Sequence, residues 1–295
     1  MTQQAPKLSG GSGIVQGVLF GMLRVQRTQT TVASSISGMI LSGVWDSRII
    51  LLGLAVFLFH ASAGALNDIA DFEVDRVNSP SRPLVKGTIG IWHAKLIVAV
   101  LVVLALLVAW FLDPWLFLLA ATVGMALEIL YNYVLKLKNN SLGSFLYLSA
   151  SVSPVPFLVG TFVSGNLTIK AFSFALPLLV LSNCIVLGSF KDFEGDKQMG
   201  KRTFVVAFGK DKAKKIMAAL LVGSIIAYVA PVVFFNFSTI LLLLAIPLGI
   251  ARCALAYALV RDIFPQKAGR MVVAARILIV LDHVSLILTR PPNGI

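Results

Sequence analysis

Long apolar stretches, each close to the length of a bilayer crossing, alternate with short basic connections along almost the whole chain. A helix crossing about 30 Å of hydrocarbon needs about 20 mostly apolar residues. Stretches of that kind occupy 28–45, 49–67, 96–112, 114–134, 142–164 and 171–190. A charge-free run from Ile216 to Ile250 exceeds one crossing, and Phe235-Asn236-Phe237-Ser238 is its natural break, which predicts helices near 213–235 and 239–260. A weaker span near 270–289 carries Arg276 and Asp282, placed to pair two turns apart or to face a cavity. The expected fold is all-α, a polytopic membrane bundle of about nine transmembrane helices.

Residues 1–13 are polar and Gly-rich, without a compact apolar core or a small-residue cleavage site. They read as a flexible tail ahead of a single membrane domain over 14–295. With nine helices, the connections after the second, fourth, sixth and eighth share one side and hold 17 Lys and Arg residues. The opposite side holds three, Arg48, Lys170 and Arg290. By the positive-inside rule the basic side, and the N-terminus with it, faces the cytoplasm at the cell membrane.

Composition sharpens this picture. Only 13% of the 295 residues are charged and 58% are hydrophobic, where a soluble domain carries roughly 25% charge. The mean hydropathy is +0.90. These values exclude an ordinary soluble enzyme and a disordered chain. They also exclude a nucleic-acid-binding domain despite the net charge of +12, because excess Lys and Arg in such a chain reports orientation. Cys184 and Cys253 both lie in apolar runs, as packed thiols do, and indicate neither a disulfide framework nor a metal–thiolate centre.

The acidic residues are scarce and clustered. Seven of the 13 lie in Asp68-Ile69-Ala70-Asp71-Phe72-Glu73-Val74-Asp75 and Asp192-Phe193-Glu194-Gly195-Asp196, which close the second and sixth spans on the basic side. At about 100° per residue, Asn67, Asp68, Asp71 and Asp75 share a sector about 100° wide if the helix persists, while Glu73 points away. Asp192 and Asp196 lie about 40° apart and Glu194 faces elsewhere. Co-facial carboxylates repel and are costly near lipid, so a cation should accompany them. Oxygen-only donors suit Mg²⁺, which completes its octahedron with water and substrate phosphate oxygens. Two such clusters predict a diphosphate bridged by Mg²⁺, two ions in all, between the second and sixth spans. Arg82, Lys86, Lys197, Lys201 and Arg202 follow the clusters, and Lys136 and Lys138 sit near Tyr131 and Tyr133. Singly each reads as an orientation residue; as a ring, several should contact phosphate. His60 reads as packing or cavity lining.

Asn67-Asp68-x-x-Asp71-x-x-x-Asp75, with Arg82-Pro83-Leu84 and Gly87 downstream, resembles the first signature of the UbiA family of intramembrane prenyltransferases. Asp192-x-x-x-Asp196, continuing to Gly200-Lys201-Arg202-Thr203, is similar to the second. The resemblance covers essentially 14–290. It implies a Mg²⁺-dependent site at the cytoplasmic mouth of the bundle that moves a prenyl chain from an allylic diphosphate to an acceptor. It carries Asn67, Asp68, Asp71, Asp75, Asp192 and Asp196 over as the metal and diphosphate residues, with Asp68 alternatively orienting a basic side chain. The stretch Val77-Asn78-Ser79-Pro80-Ser81-Arg82-Pro83 and Glu194-Gly195-Asp196-Lys197 look most like the archaeal digeranylgeranylglyceryl phosphate synthases. Those members alkylate the hydroxyl of geranylgeranylglyceryl phosphate, whose phosphate the basic loops, Arg24 or Arg27 would hold. Aromatic-acceptor members of the 4-hydroxybenzoate type share both signatures and are the alternative. A secondary transporter is a rival from another class, but its ion sites belong near the bilayer midplane, whereas these clusters end helices. A binding protein that kept the fold without the activity is a third reading.

Overall fold

The computed structural model describes residues 25–261 and 268–289, and every regular element among them is helical. In chain order these are α1 (Val25–Leu41), α2 (Arg48–Ala70), the short α3 (Phe72–Asn78), α4 (Ile91–Leu112) and α5 (Pro114–Val134). They continue as α6 (Ser141–Val152), α7 (Pro154–Val163), α8 (Ile169–Phe190) and the short α9 (Phe193–Gln198) and α10 (Phe204–Phe208). Last come α11 (Lys210–Phe234), α12 (Thr239–Val260) and α13 (Ala268–Leu288).

Helix is the only way such apolar segments can meet their backbone hydrogen-bonding needs inside hydrocarbon. Their ends are set by local chemistry. Asp113 caps α5 by accepting from the Trp115 and Leu116 amides at 2.7 and 2.9 Å, with Pro114 in the first turn. Asn140 caps α6 in the same way, and Ser238 accepts from Ile240 to start α12. The expected break at 235–238 is present, and Asn236 turns the chain with φ +53°.

Seven helices are long and apolar enough to cross a membrane: α2, α4, α5, α8, α11, α12 and Arg270–Leu288 of α13. An eighth crossing results if α6 and α7, bent by 41° at Ser153, act as one span. The remaining predicted stretch, the first, is covered by α1, whose described length is 17 residues. The count among the described residues is therefore seven or eight rather than nine. Arg24 lies outside the described residues, as does the side chain of Arg27.

Among the described residues the chain forms two compact units, one comprising 25–29 with Leu54–Lys136, the other Thr30–Gly53 with 137–261 and 268–289. In the first unit, Ala65 of α2 and Ala94 of α4 pack with Leu84 and Ile89 from the connecting loop, and Ile69 and Phe72 close this small core. Leu84 and Ile89 thereby pin the loop that follows the first acidic cluster.

The second unit has the larger cores. Leu187 of α8 and Phe204 of α10 pack with Met217 of α11, Leu255 of α12 and Ala275 of α13. Phe157, Phe174, Tyr228 and Leu241 form another. α1 and α7 approach through glycines: a Cβ at Gly38 would overlap the Phe157 carbonyl, and one at Gly160 the Ser35 carbonyl. Small residues at such crossings are how membrane helices gain close contact. Buried polar groups are paired across helices as well. His283 accepts or donates to Ser37 at 2.7 Å and Ser153 at 2.9 Å, and Asp282 is engaged by Arg252 of α12, both fully buried.

Candidate functional site

The first acidic cluster spans the end of α2 and the whole of α3. Asp71 interrupts the helix as a single turn residue with φ −99° and ψ 10°, yet the hydrogen-bond ladder runs through it. The Asp71 amide donates to the Asn67 carbonyl at 2.9 Å and the Asp75 amide to the Asp71 carbonyl at 2.8 Å. The four-residue period therefore survives, and the expected division of faces follows. Asp68 and Asp75 are buried, and Asn67 and Asp71 half-buried. Glu73 is exposed and pairs with Arg76 at 2.9 Å.

Arg82 closes this cluster. Its Nη1 donates to Asp68 Oδ1 at 2.6 Å and to Asp75 Oδ2. The loop delivers it there through local bonds: the Arg82 amide donates to the Ser79 carbonyl at 3.0 Å, the Thr88 amide to the Pro83 carbonyl at 2.9 Å, and Gly87 takes φ +71°. Lys86, by contrast, is exposed.

Two further candidate residues belong to this unit. Tyr131 of α5 is buried. Lys136, just past α5, is exposed and turns the chain with φ +47°.

The second cluster belongs to the other unit and repeats the construction. The last eight residues of α8, Asn183–Phe190, tighten to a 3₁₀ helix, long for that conformation. Asp192 then forms a single turn residue with φ −90° and ψ 0° before α9. The Asp196 amide donates to the Asp192 carbonyl at 2.8 Å. Asp196 is buried and Asp192 half-buried, while Glu194 is exposed and pairs with Lys210 at 2.9 Å. Thr203 Oγ1 donates to Asp196 Oδ2 at 3.3 Å.

The basic residues of this unit divide. Lys191 Nζ lies 3.9 Å from Asp192, Lys201 is half-buried, and its amide donates to the Asp196 carbonyl at 2.9 Å. Lys197 and Arg202 are exposed, and the Arg202 amide ties to the Asn139 carbonyl at 3.2 Å beside the buried Lys138.

Sequence reasoning passed over Glu128 and Asn132. Glu128 had a visible signal, being the only charged residue between Pro114 and Val134. Thr203 was named only as the end of the second signature, and its bond to Asp196 was not foreseen, because a hydroxyl reaching back seven residues follows from loop closure and not from any periodicity.

The donor set suits a hard divalent cation. Each cluster offers carboxylate oxygens without His or Cys, and in the first unit Asp68 and Asp75 share the Arg82 guanidinium. Among the described residues no three His, Cys, Asp or Glu side chains converge as a ready-made metal cage. That fits Mg²⁺ shared with a substrate, since this ion takes one or two carboxylates and draws its other ligands from water and phosphate.

The chain is similar to proteins of known kind. The family model for the UbiA prenyltransferase family matches residues 31–279. The digeranylgeranylglyceryl phosphate synthase of Methanocaldococcus jannaschii is 31% identical over 195 residues, 64% of this chain and 66% of that one. This chain thus spans just under two thirds of that relative's length. Among solved structures, the apo form of a UbiA homolog from Aeropyrum pernix superposes with a TM-score of 0.76 at 17% identity, covering 90% of this chain and 98% of that one. A UbiA homolog from Archaeoglobus fulgidus bound to DMAPP and Mg²⁺ gives 0.66 at 16%, with the same coverage. At these identities the superpositions establish the fold.

Proposed function

We propose, from the premise that this chain belongs to the UbiA prenyltransferase family, that it transfers a geranylgeranyl group from its diphosphate to the hydroxyl of geranylgeranylglyceryl phosphate. The observation that carries the reading is the repeated cluster. In both units the Asp-Phe-Glu-x-Asp run buries its second aspartate, half-buries its first and turns its glutamate to solvent. Support for the acceptor comes from the Methanocaldococcus relative, a digeranylgeranylglyceryl phosphate synthase, and support for the donor and the ion from the DMAPP and Mg²⁺ held by the Archaeoglobus homolog.

Asn67, Asp71 and Asp75 of the first cluster and Asp192 and Asp196 of the second would hold Mg²⁺, two ions sharing one diphosphate. The ions would neutralise charge developing on the leaving diphosphate. Asp68 fixes Arg82, so that its guanidinium is preorganised against the same oxygens without reorganisation during reaction. Tyr131, Lys136, Lys138, Lys201 and the exposed Lys86, Lys197 and Arg202 supply further donors to diphosphate or to the acceptor phosphate. In the reaction the allylic C1–O bond breaks with its electron pair on the diphosphate. The acceptor oxygen bonds to C1, and the hydroxyl proton leaves to the diphosphate or to water. The apolar helices shelter the allylic cation from water. The excess of Lys and Arg on the chain's loops supports a cytoplasmic mouth at the cell membrane.

Purified protein in detergent is expected to release diphosphate and form the ether product only with Mg²⁺ present. Geranylgeranyl diphosphate should be offered with geranylgeranylglyceryl phosphate and, separately, with 4-hydroxybenzoate. Product with the second acceptor alone would replace the ether-lipid reading by the aromatic one.

A further inference from the structure

We infer that Asn132, held by Glu128, is the hydrogen-bonding subsite for the nucleophilic hydroxyl of the acceptor; the inference rests on the prenyl-transfer reading above. α5 is the most lipid-exposed of the apolar helices. It buries only Leu116, Glu128, Tyr131 and Asn132. Three of these four are polar, the reverse of what packing alone would select. Two π turns, Ala120–Gly124 and Leu130–Val134, bracket the α-helical segment Met125–Ile129 that carries Glu128. Such turns widen the helix by a residue, reset which side chains face inward, and are frequent at functional sites.

The Asn132 side chain has a defined orientation. Its Nδ2 donates to the Glu128 carbonyl at 3.1 Å and lies 3.4 Å from Glu128 Oε2. Both neighbours are acceptors, so the amide nitrogen belongs on that side and Oδ1 on the other. Oδ1 is buried and accepts no hydrogen bond. A buried carbonyl in that state loses its water without compensation, and a ligand hydroxyl would supply the donor.

The position matches the reaction. Asn132 lies beside Tyr131 and two residues, about 3 Å at 1.5 Å per residue, inside the end of α5, and by the alternation of crossings that end shares a side with the end of α2 that carries the aspartates. The diphosphate binds at the aspartates and the prenyl chain runs into the bundle, so C1 lies just deeper than the diphosphate. The attacking hydroxyl must arrive at that same depth. Donating its hydrogen to Asn132 Oδ1 would hold it there and leave its oxygen lone pair for C1. Asn132 is then the contact, and Glu128 a positioning residue that fixes the amide.

The test compares geranylgeranylglyceryl phosphate with an analogue in which the free hydroxyl is replaced by hydrogen, used as a competitor for the full chain in detergent with Mg²⁺. Wild-type protein is expected to bind the deoxy analogue roughly 10-fold more weakly, the scale of one hydrogen bond to a buried acceptor. Asn132→Leu should bind both alike, Glu128→Leu should lose most of the preference, and Glu128→Gln should keep it. KM for the donor should change by less than about 2-fold in all three, since a single side chain away from the diphosphate is altered. Equal affinity of the wild-type chain for the two ligands would overturn the inference without recourse to any variant, as would a preference retained by Asn132→Leu. If the wild-type chain prenylates only 4-hydroxybenzoate, the ether-lipid reading fails on its own, and benzoate, which lacks the phenol, replaces the deoxy analogue in the same comparison.

Discussion

The two Asp-Phe-Glu-x-Asp segments share their backbone plan and differ in what meets the buried aspartate. Seven residues after Asp75 stands Arg82, and seven after Asp196 stands Thr203. The first is a charge-assisted contact and the second a neutral hydroxyl bond. The difference extends upstream. The positions that hold Asn67-Asp68 before the first segment hold Gly188-Ser189 before the second. The additional carboxylate and the guanidinium thus occur together in one segment and are absent together from the other. Asp68 and Arg82 are best understood as an added ion pair built onto a common aspartate scaffold, which gives the first cluster a permanent cation. In the second, Asp196 meets a neutral hydroxyl and Asp192 lies 3.9 Å from Lys191.

If so, removing the permanent cation should damage the first cluster structurally as well as chemically. Arg82→Ala takes the guanidinium from between two buried carboxylates. A cost of about 3 kcal/mol is expected, the low end for a buried pair because the Arg82 side chain is 22% exposed. Thermal unfolding in detergent should show it as a clear fall in Tm, together with loss of transfer. Arg82→Lys should recover only part of both, since an ammonium lacks the planar fork. An unchanged Tm in Arg82→Ala would mean that the two clusters do not differ in the way described.

The next effect separates chemistry from stability. Asp71 and Asp192 are the half-buried aspartates at the two turn positions, and neither is clamped by Arg82. Asp71→Asn and Asp192→Asn are each expected to lower kcat about 10²–10³-fold, the scale for losing one preorganised electrostatic group. Tm without Mg²⁺ should remain near wild type. Retention of full turnover in either would remove that residue from the site.

These expectations show how far the sequence could be read. Helix positions were legible because a bilayer imposes a length, and the break at Phe235–Ser238 lies where the apolar run outgrew it. The division of faces between the aspartates and Glu73 and Glu194 was legible from the 3.6-residue period, and the burial pattern keeps it although Asp71 and Asp192 each interrupt their helix, because the i to i−4 bonds cross the interruption. Arg82 was visible as a cation near the cluster, but its geometry was not, since it depends on Leu84 and Ile89 pinning a loop. Glu128 and Asn132 face inward through two π turns, and a regular 100° step cannot anticipate a change of register. The count of nine crossings treats every apolar stretch alike; among the described residues seven helices, or eight with the bent pair α6 and α7 as one span, are long and apolar enough to cross.

A smaller effect probes the neutral side of the comparison. Thr203→Val removes one hydroxyl from Asp196 while nearly preserving volume. Losing a hydrogen bond to a buried charged acceptor is expected to cost about 1.5 kcal/mol, half the Arg82→Ala effect. Added Mg²⁺ should recover part of the lost Tm, since an ion that binds only the folded chain stabilises it by mass action. A cost equal to that of Arg82→Ala would put the two closures on the same footing.

The smallest effect tests the faces themselves. Glu73 and Glu194 occupy the same place in the two segments, each exposed and each paired to a surface cation, Arg76 or Lys210, at 2.9 Å. Exposed pairs of this kind contribute about 0–1 kcal/mol and are screened by salt. Glu73→Gln and Glu194→Gln should therefore shift stability by less than about 0.5 kcal/mol and turnover by less than about 2-fold. The outcome matters because these glutamates are only two residues from aspartates whose loss should abolish activity. If a glutamate variant lost as much turnover as Asp71→Asn, charge anywhere in the segment would matter and the helical face would not. If both variants remain active while their neighbours fail, the four-residue period selects the functional carboxylates in both segments, whatever closes each one.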